Sequence, residues 1–240
     1  MDSLLPYRIY ANSESAITID FGNHIDRNLN RRVLAIHHFL QANPLEGMVE
    51  SVPAYSSLTV YFDILAVKKH AGEETASRCM EEALAACMQK DIAHAPDDGI
   101  LHRIPVCYDE PFAPDLSLII HEKNISRTNI IDIHCERTYH VFMMGFLPGF
   151  AYMGEIDTRI AMPRKKQPAK RVEAGSVGIA GRQTGIYPLH SPGGWQIIGR
   201  TPVPVFDPFH EPVCLLKAGD QVQFYSISSH EFEHIKSRYS

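Results

Sequence analysis

Two hydrophobic rhythms alternate along the first hundred residues. Residues 16–21, AITIDF, set Ile17, Ile19 and Phe21 on one face, the two-residue period of a half-buried strand. Ile25, Leu29, Val33, Ile36 and Leu40 then step by four, four, three and four, which is one stripe of an amphipathic helix. Asn43-Pro44 stops it, because the residue before proline avoids the helical region. Residues 48–52 and 57–62 read as strands, the second with Leu58, Val60 and Phe62 on a common face. A second helix is predicted over 73–90, with Ala76, Met80, Ala83, Leu84 and Cys87 inward, and a strand follows at 101–106. Strand, helix, strand, strand, helix, strand is the split βαβ, ferredoxin-like order. Residues 93–99, AHAPDDG, have the composition of a linker.

Beyond residue 99 the pattern changes. Short helices are predicted at 115–123 and 127–136, the second opened by Ser126 as an N-cap, and 138–144, TYHVFMM, reads as a strand. Residues 145–205 hold ten of the fifteen glycines and seven of the sixteen prolines, with short apolar runs between them. Turn residues at that density predict a β-barrel or sandwich. Ala218-Gly219-Asp220 turns into a last strand, QVQFYSI. Ser228 and Glu231 make a capping-box signature for a final helix with Phe232, Ile235 and Tyr239 on one side. The expected fold is an α+β ferredoxin-like domain over 1–98 and a mainly-β barrel domain over 99–240.

Composition narrows the function classes. With 45% apolar and 21% charged residues, the 240-residue chain has the make-up of a globular protein with a full core. A net charge of −5 argues against a nucleic-acid binder. Cys79, Cys87, Cys107, Cys135 and Cys214 include no Cys-x-x-Cys pair, which argues against a disulfide framework or a structural zinc site. Cys79 and Cys87 lie near the stripe of the second helix and read as core. His37 and His38 are adjacent, lack the i, i+4 spacing of paired metal ligands, and read as surface residues. No signal peptide and no membrane span are expected, and the location expected is cytoplasmic.

Three stretches could carry chemistry. Residues 145–154, GFLPGFAYMG, mix glycine freedom with bulky rings. Gly145, Pro148 and Gly149 shape a backbone that something can approach closely, while Phe146, Phe150 and Tyr152 offer flat apolar surface. A cleft wall or a contact with another subunit is expected there; the alternative is a loop whose rings plug the end of a barrel. Residues 159–171, RIAMPRKKQPAKR, carry six basic residues and no acid. They form either a solvated loop or an anion site, with Arg164, between Pro163 and the lysines, as the candidate because guanidinium grips oxyanions bidentately. Residues 174–199 repeat glycine at 175, 178 and 181, without a Walker A loop, a G-x-G-x-x-G pattern or a Gly-x-Ser-x-Gly elbow. Ser176 is a weak nucleophile candidate, since no His or Asp is tied to it by spacing. Gln183, Thr184, Ser191 and Gln196 could supply neutral hydrogen bonds to a cleft, and Trp195 is either core or a stacking surface.

GFLPGFAYMG, followed by PRKKQPAKRVEAGSVGIAGRQTGIYPLHSPGGWQIIGRTP, closely resembles the KipI family, also called allophanate hydrolase subunit 1 or the 5-oxoprolinase B subunit, of carboxyltransferase subdomain A and B type. IPVCYDEPFAPDL near 104–116 and VPAYSSLTVYFD near 52–63 fit the same family, so the resemblance covers nearly the whole chain. It departs at Ala151, where members usually have proline, and at Glu173, where they usually have proline before Ala-Gly-Ser-Val. The resemblance implies a cyclophilin-like barrel as the second domain. It implies a subunit of bacterial ATP-dependent 5-oxoprolinase, which opens 5-oxoproline to glutamate and acts with subunits A and C (the latter KipA-like). The chain alone is then expected to be inactive. ATP with Mg²⁺ is expected in the assembled complex, with no tightly bound cofactor and no metal site on this chain. Arg164, Lys165 and the backbone at Gly175, Gly178 and Gly181 are the groups expected at phosphate. The alternatives are inhibition of a sensor histidine kinase and a carboxyltransferase module of a urea carboxylase system.

Overall fold

The computed structural model describes residues 6–69, 74–92 and 99–239. The linker predicted at 93–99 lies, but for Gly99, outside them. The chain divides into two compact units, Met1–Asp98 and Gly99–Ser240.

In the first unit the strands are β1 (Arg8–Ser13), β2 (Ala16–Asp20), β3 (Met48–Pro53) and β4 (Ser57–Phe62). They form one antiparallel sheet in the order β1-β2-β4-β3. Its helices are α1 (Arg27–Ala42), α2 (Ile64–Lys68) and α3 (Ala76–Met88). Helix α1 packs on β3 and β4, and α3 packs on β1 and β2. Ile17, Ile19, Leu58, Val60 and Phe62 are buried, as their alternation predicts. Ile25 lies outside α1 and is exposed, because Asp26 takes the N-cap and accepts from the Leu29 amide at 2.8 Å. His37 is half-buried, with its Nδ1 2.8 Å from Ser51 Oγ, so it faces β3 rather than solvent.

The split βαβ reading is corrected at its last step. The strand expected to close this sheet, β5 (Leu101–Cys107), belongs to the second unit, and β1 holds the edge position beside β2 instead. Nothing in the apolar pattern of β1, RIYANS, announced it, because nearly all of it is exposed.

The second unit is a closed seven-stranded barrel. After β5 come α4 (Leu116–Lys123), α5 (Arg127–Glu136), β6 (Thr138–Met144), β7 (Ala151–Gly154) and β8 (Ala169–Val172). Then follow β9 (Ser176–Ala180), β10 (Gln183–Ile186), β11 (Ser191–Gly193), β12 (Gln196–Arg200), β13 (Gln221–Ile227) and α6 (Ser229–Lys236). Around the barrel the order is β10-β7-β6-β13-β5-β12-β9, with β9 returning to β10. Seven strands cannot alternate in direction all the way round, so one pair must be parallel; that pair is β5 and β13. Asp220 fixes its start. The buried carboxylate accepts from the Ile100 and Lys217 amides, each at 3.0 Å, and lies 3.1 Å from His102 Nε2.

Ile104, Val106, Tyr139, Val141, Met153, Val177, Ile179, Ile198, Val222 and Phe224 form the main core. Strands β8 and β11 pair as a separate ribbon, beside a smaller core of Phe150, Val172, Ala180, Tyr187, Trp195 and Ile197. Helix α6 carries the predicted capping box and buries Phe232, whereas Tyr239 falls beyond the helix and is exposed. All five cysteines are free thiols. Among the described residues no helix is long and apolar enough to cross a membrane.

Candidate functional site

The loop between β6 and β7 is held by its own backbone. Gly145 N–H donates to Phe150 O at 3.1 Å, Leu147 N–H to Gly145 O at 2.9 Å, and Phe150 N–H to Leu147 O at 3.0 Å. This tight course puts Gly149 at φ +79°, where a Cβ would stand 2.6 Å from that of Phe206, so only glycine fits. Phe146 also takes a left-handed φ of +70°, which is costly for an aromatic residue. The result is a ring 59% exposed at the tip of the loop. Beside it runs an open, largely apolar groove of about 560 Å³. Residues 144–149 form one wall of this groove, and Cys214, Leu216 and Lys217 form the other.

Phe150 behaves differently from the expectation. It is 1% exposed and packs edge-to-face on Tyr152, Tyr187 and Trp195 at centroid distances of 4.8, 5.3 and 5.5 Å. It is a core ring, and Phe146 and Pro148 are the loop residues that reach solvent. The alternation of the β7 strand and its neighbours turns Phe150 toward the smaller core under the ribbon. Tyr152 is half-buried against that core, and Trp195 is part of it.

Three of the six basic residues in the stretch are held in ion pairs. Arg159 pairs with Asp157 at 3.0 Å and Arg171 with Glu173 at 2.8 Å. Lys165 Nζ lies 2.6 Å from Asp115 Oδ2, with both side chains largely covered. The same Asp115 oxygen accepts from the Ile197 amide at 2.7 Å, and the Asp115 amide donates to Ile197 O at 3.0 Å. Asp115 stands at the N-cap of α4 without capping it and serves β12 and Lys165 instead. Lys165 is therefore neutralised by a neighbour far away in sequence, and does not stand ready for phosphate. Arg164 is exposed and makes no ion pair among the described residues. Burial pushes the Tyr152 and Tyr187 phenols above their usual range, and the Arg164 charge opposes it.

The glycine repeat does not form an anion cradle. Gly175 N–H is donated to Tyr187 O at 2.7 Å and Gly181 N–H to Met162 O at 2.6 Å, while Gly178 lies inside the β9 ladder. Their freedom serves close packing: a Cβ on Gly175 would come within 2.4 Å of Thr201 O. Ser176 is a buried strand residue, and no histidine or carboxylate bonds its hydroxyl among the described residues. Gln183 opens β10 opposite Gly154 and is half-buried. Gln196 is buried and donates to Pro163 O at 3.0 Å, while its Oε1 and the buried Ser191 Oγ have no partner among the described residues.

Thr184 belongs to a buried network that the sequence did not reveal. Its hydroxyl donates to Gly178 O at 3.1 Å and so accepts from His134 Nε2 at 3.2 Å. The proton of His134 therefore sits on Nε2, and the bare Nδ1 accepts from Tyr108 Oη at 2.7 Å. His134 also stacks on Phe224 at 4.7 Å. Burial lowers its pKa to about 3, so the ring is neutral. The network is internal scaffolding, with His134 and Thr184 fully buried, and Thr184 is corrected from cleft donor to core. Among the described residues no three His, Cys, Asp or Glu side chains converge as a metal site requires.

A closed mixed barrel with a flanking ribbon and an α+β companion unit is an architecture seen elsewhere. The Kluyveromyces lactis urea amidolyase matches 99% of this chain with a TM-score of 0.77, over 16% of its own length. At 19% identity the likeness speaks for the fold alone. Sequence carries the assignment further. Residues 7–216 match the carboxyltransferase domain, subdomain C and D, family, and the chain belongs to that family. The subdomain pair is thus C and D, not the A and B type expected. The B subunit of 5-oxoprolinase from Bacillus subtilis (strain 168) is 40% identical over 234 residues, covering 96% of this chain and 97% of the relative. A conserved uncharacterized protein of Pyrococcus horikoshii is 39% identical, with a TM-score of 0.54, and covers 94% of this chain and all of its own.

Proposed function

We propose that this chain is the B subunit of an ATP-dependent 5-oxoprolinase, which converts 5-oxoproline, ATP and water to glutamate, ADP and phosphate in company with subunits A and C. The near end-to-end identity with the Bacillus subtilis relative carries this reading. Its finer fold counterpart is a ferredoxin-like first unit, with β1 in the place of the missing last strand, and a cyclophilin-like barrel as the second. A cytoplasmic location, with the thiols reduced, goes with it.

In this reading the chain contributes a surface rather than a complete active centre. ATP and its Mg²⁺ act in the assembled complex. The residues of this chain do not fit a nucleotide–magnesium site, because the glycine N–H groups are already donated, Lys165 is paired and no carboxylates converge among the described residues. Those ligands therefore come from elsewhere in the assembly. Among the described residues this chain offers the exposed Arg164 guanidinium, suited to an oxyanion, and the exposed face of the Phe146 ring with its apolar groove, suited to a neighbouring subunit.

The test is ATP-dependent glutamate formation by the purified chain, alone and with subunits A and C. Turnover is expected only in the complete mixture. Robust turnover by the single chain, or full activity of the other two without it, would overturn the proposal. A pull-down run in parallel distinguishes the KipA-like subunit from a histidine kinase as the bound partner.

A further inference from the structure

We propose that Arg171, His190 and Arg200 form a binding site for a phosphate-bearing ligand, filled in this structure by the carboxylate of Glu173. Arg171 Nε donates to Glu173 Oε1 at 2.8 Å. The other oxygen, Oε2, lies 3.1 Å from His190 Nδ1 and 3.9 Å from Arg200 Nη2. Two guanidinium groups and an imidazole from three different segments thus converge on one side chain, and none of them has another acid within salt-bridge distance among the described residues.

The site is built rather than incidental. Arg200 is three-quarters covered, and its Nε donates to Ala174 O at 2.8 Å, which aims the remaining guanidinium N–H groups. Glu173 sits on a turn closed by Ser176 N–H to Glu173 O at 3.1 Å. Behind it Gly175 at φ +82° is tied to Tyr187 on one side and Thr201 on the other. The backbone under the cluster is therefore fixed, while the glutamate side chain is 43% exposed and open to displacement from the solvent side. Partial burial opposes ionisation of Glu173. The Arg171 hydrogen bond and the charges of His190, Arg171 and Arg200 outweigh it and hold the carboxylate below its usual range.

Charge selects the ligand. Two guanidinium groups face one carboxylate, which leaves one positive charge unmatched, and a second when His190 is protonated. A phosphate dianion in place of the carboxylate neutralises both arginines and offers enough oxygens for donors arriving from three directions. Glu173 then acts as a built-in competitor that sets the ligand concentration at which the site fills. This inference stands on the residues of this unit and not on the 5-oxoprolinase reading.

Calorimetric titration of the full chain with inorganic phosphate, and separately with glutamate, at matched ionic strength tests it. The variants are Glu173→Ala and Glu173→Ala with Arg200→Ala, each checked for folding by thermal melt. Phosphate is expected to bind Glu173→Ala about tenfold tighter than the parent, and Arg200→Ala is expected to erase the gain. No gain, a gain that survives loss of Arg200, or tighter binding of glutamate than of phosphate would overturn it. If Glu173→Ala does not fold, the His190 ring resonances of the parent decide. A saturable shift with phosphate, absent with chloride, supports the site, and no shift overturns it.

Discussion

The Lys165 ammonium sits 2.6 Å from Asp115, on the same carboxylate oxygen that accepts the Ile197 amide. One carboxylate thus ties the basic stretch, the start of α4 and a barrel strand together. Replacing Asp115 with alanine strips partners from a mostly covered lysine and from a backbone N–H. Breaking such a pair from one side costs about 3 kcal/mol. Urea unfolding is expected to show that loss for Asp115→Ala, and a smaller one for Lys165→Met, which keeps the aliphatic stem.

Arg164 separates from Lys165 in the opposite assay. Because Arg164 is exposed and unpaired among the described residues, Arg164→Ala is expected to melt like the parent. Loss of a charge-assisted bond to an anion, about 1.5–3 kcal/mol, is expected to lower kcat/KM of the assembled enzyme by about tenfold or more. Unchanged kinetics in the assay of the complete assembly would assign Arg164 to the solvated surface.

Phe146 and Phe150, four residues apart, are expected to divide stability from binding. Phe150→Ala removes a ring that is 1% exposed and is expected to cost about 3–5 kcal/mol of unfolding free energy. Phe146→Ala removes an exposed ring and is expected to leave stability within about 1 kcal/mol. Titration against the KipA-like subunit is expected to show the larger affinity loss for Phe146→Ala. Equal affinities for the two folded variants would remove the loop from the contact.

His134 makes stability depend on pH. Its folded pKa, about 3, is below its ordinary 6.5, so the unfolded chain takes up a proton that the folded chain refuses. The neutral ring's contribution is full above pH 6.5 and is lost as pH falls from 6.5 toward 3, at about 1.4 kcal/mol per pH unit. Unfolding free energies at pH 7 and pH 5 are expected to differ by about 2 kcal/mol from this group. His134→Gln is expected to be less stable at pH 7 and to lack that part of the slope.

What the sequence made legible was whatever a short window can record. Ile17, Ile19 and Phe21 announced β2, Val33, Ile36 and Leu40 announced α1, and the glycine and proline density from 145 to 205 announced the barrel. Strand β1 stayed hidden because its residues are exposed on both faces and carry no period. Strand β5 is legible as a strand but its sheet is not, since partner choice is set by pairing with β13, more than a hundred residues on. The candidate site failed for the same reason. Nothing near Lys165 in sequence foretells Asp115, and nothing near Thr184 foretells His134. Phe150 looked like a contact residue because the glycines around it invite approach, but the approaching groups are Phe206, Tyr187 and Trp195 of the same unit.

The parallel pairing of β5 with β13 also sets a timetable. The first and last strands of the second unit are neighbours, locked at one end by Asp220 and His102, which stand 118 positions apart. On a ribosome the six earlier barrel strands emerge with β5 and β6 each lacking a neighbour, and their edges stay open until residues 221–227 arrive. Closing so long a loop is slow, and open edges invite pairing with other chains in the meantime. The first unit closes its own sheet without waiting for any residue of the second. Synthesis therefore passes through a stage in which one unit has all the strands of its sheet and the other still lacks the strand that closes its barrel.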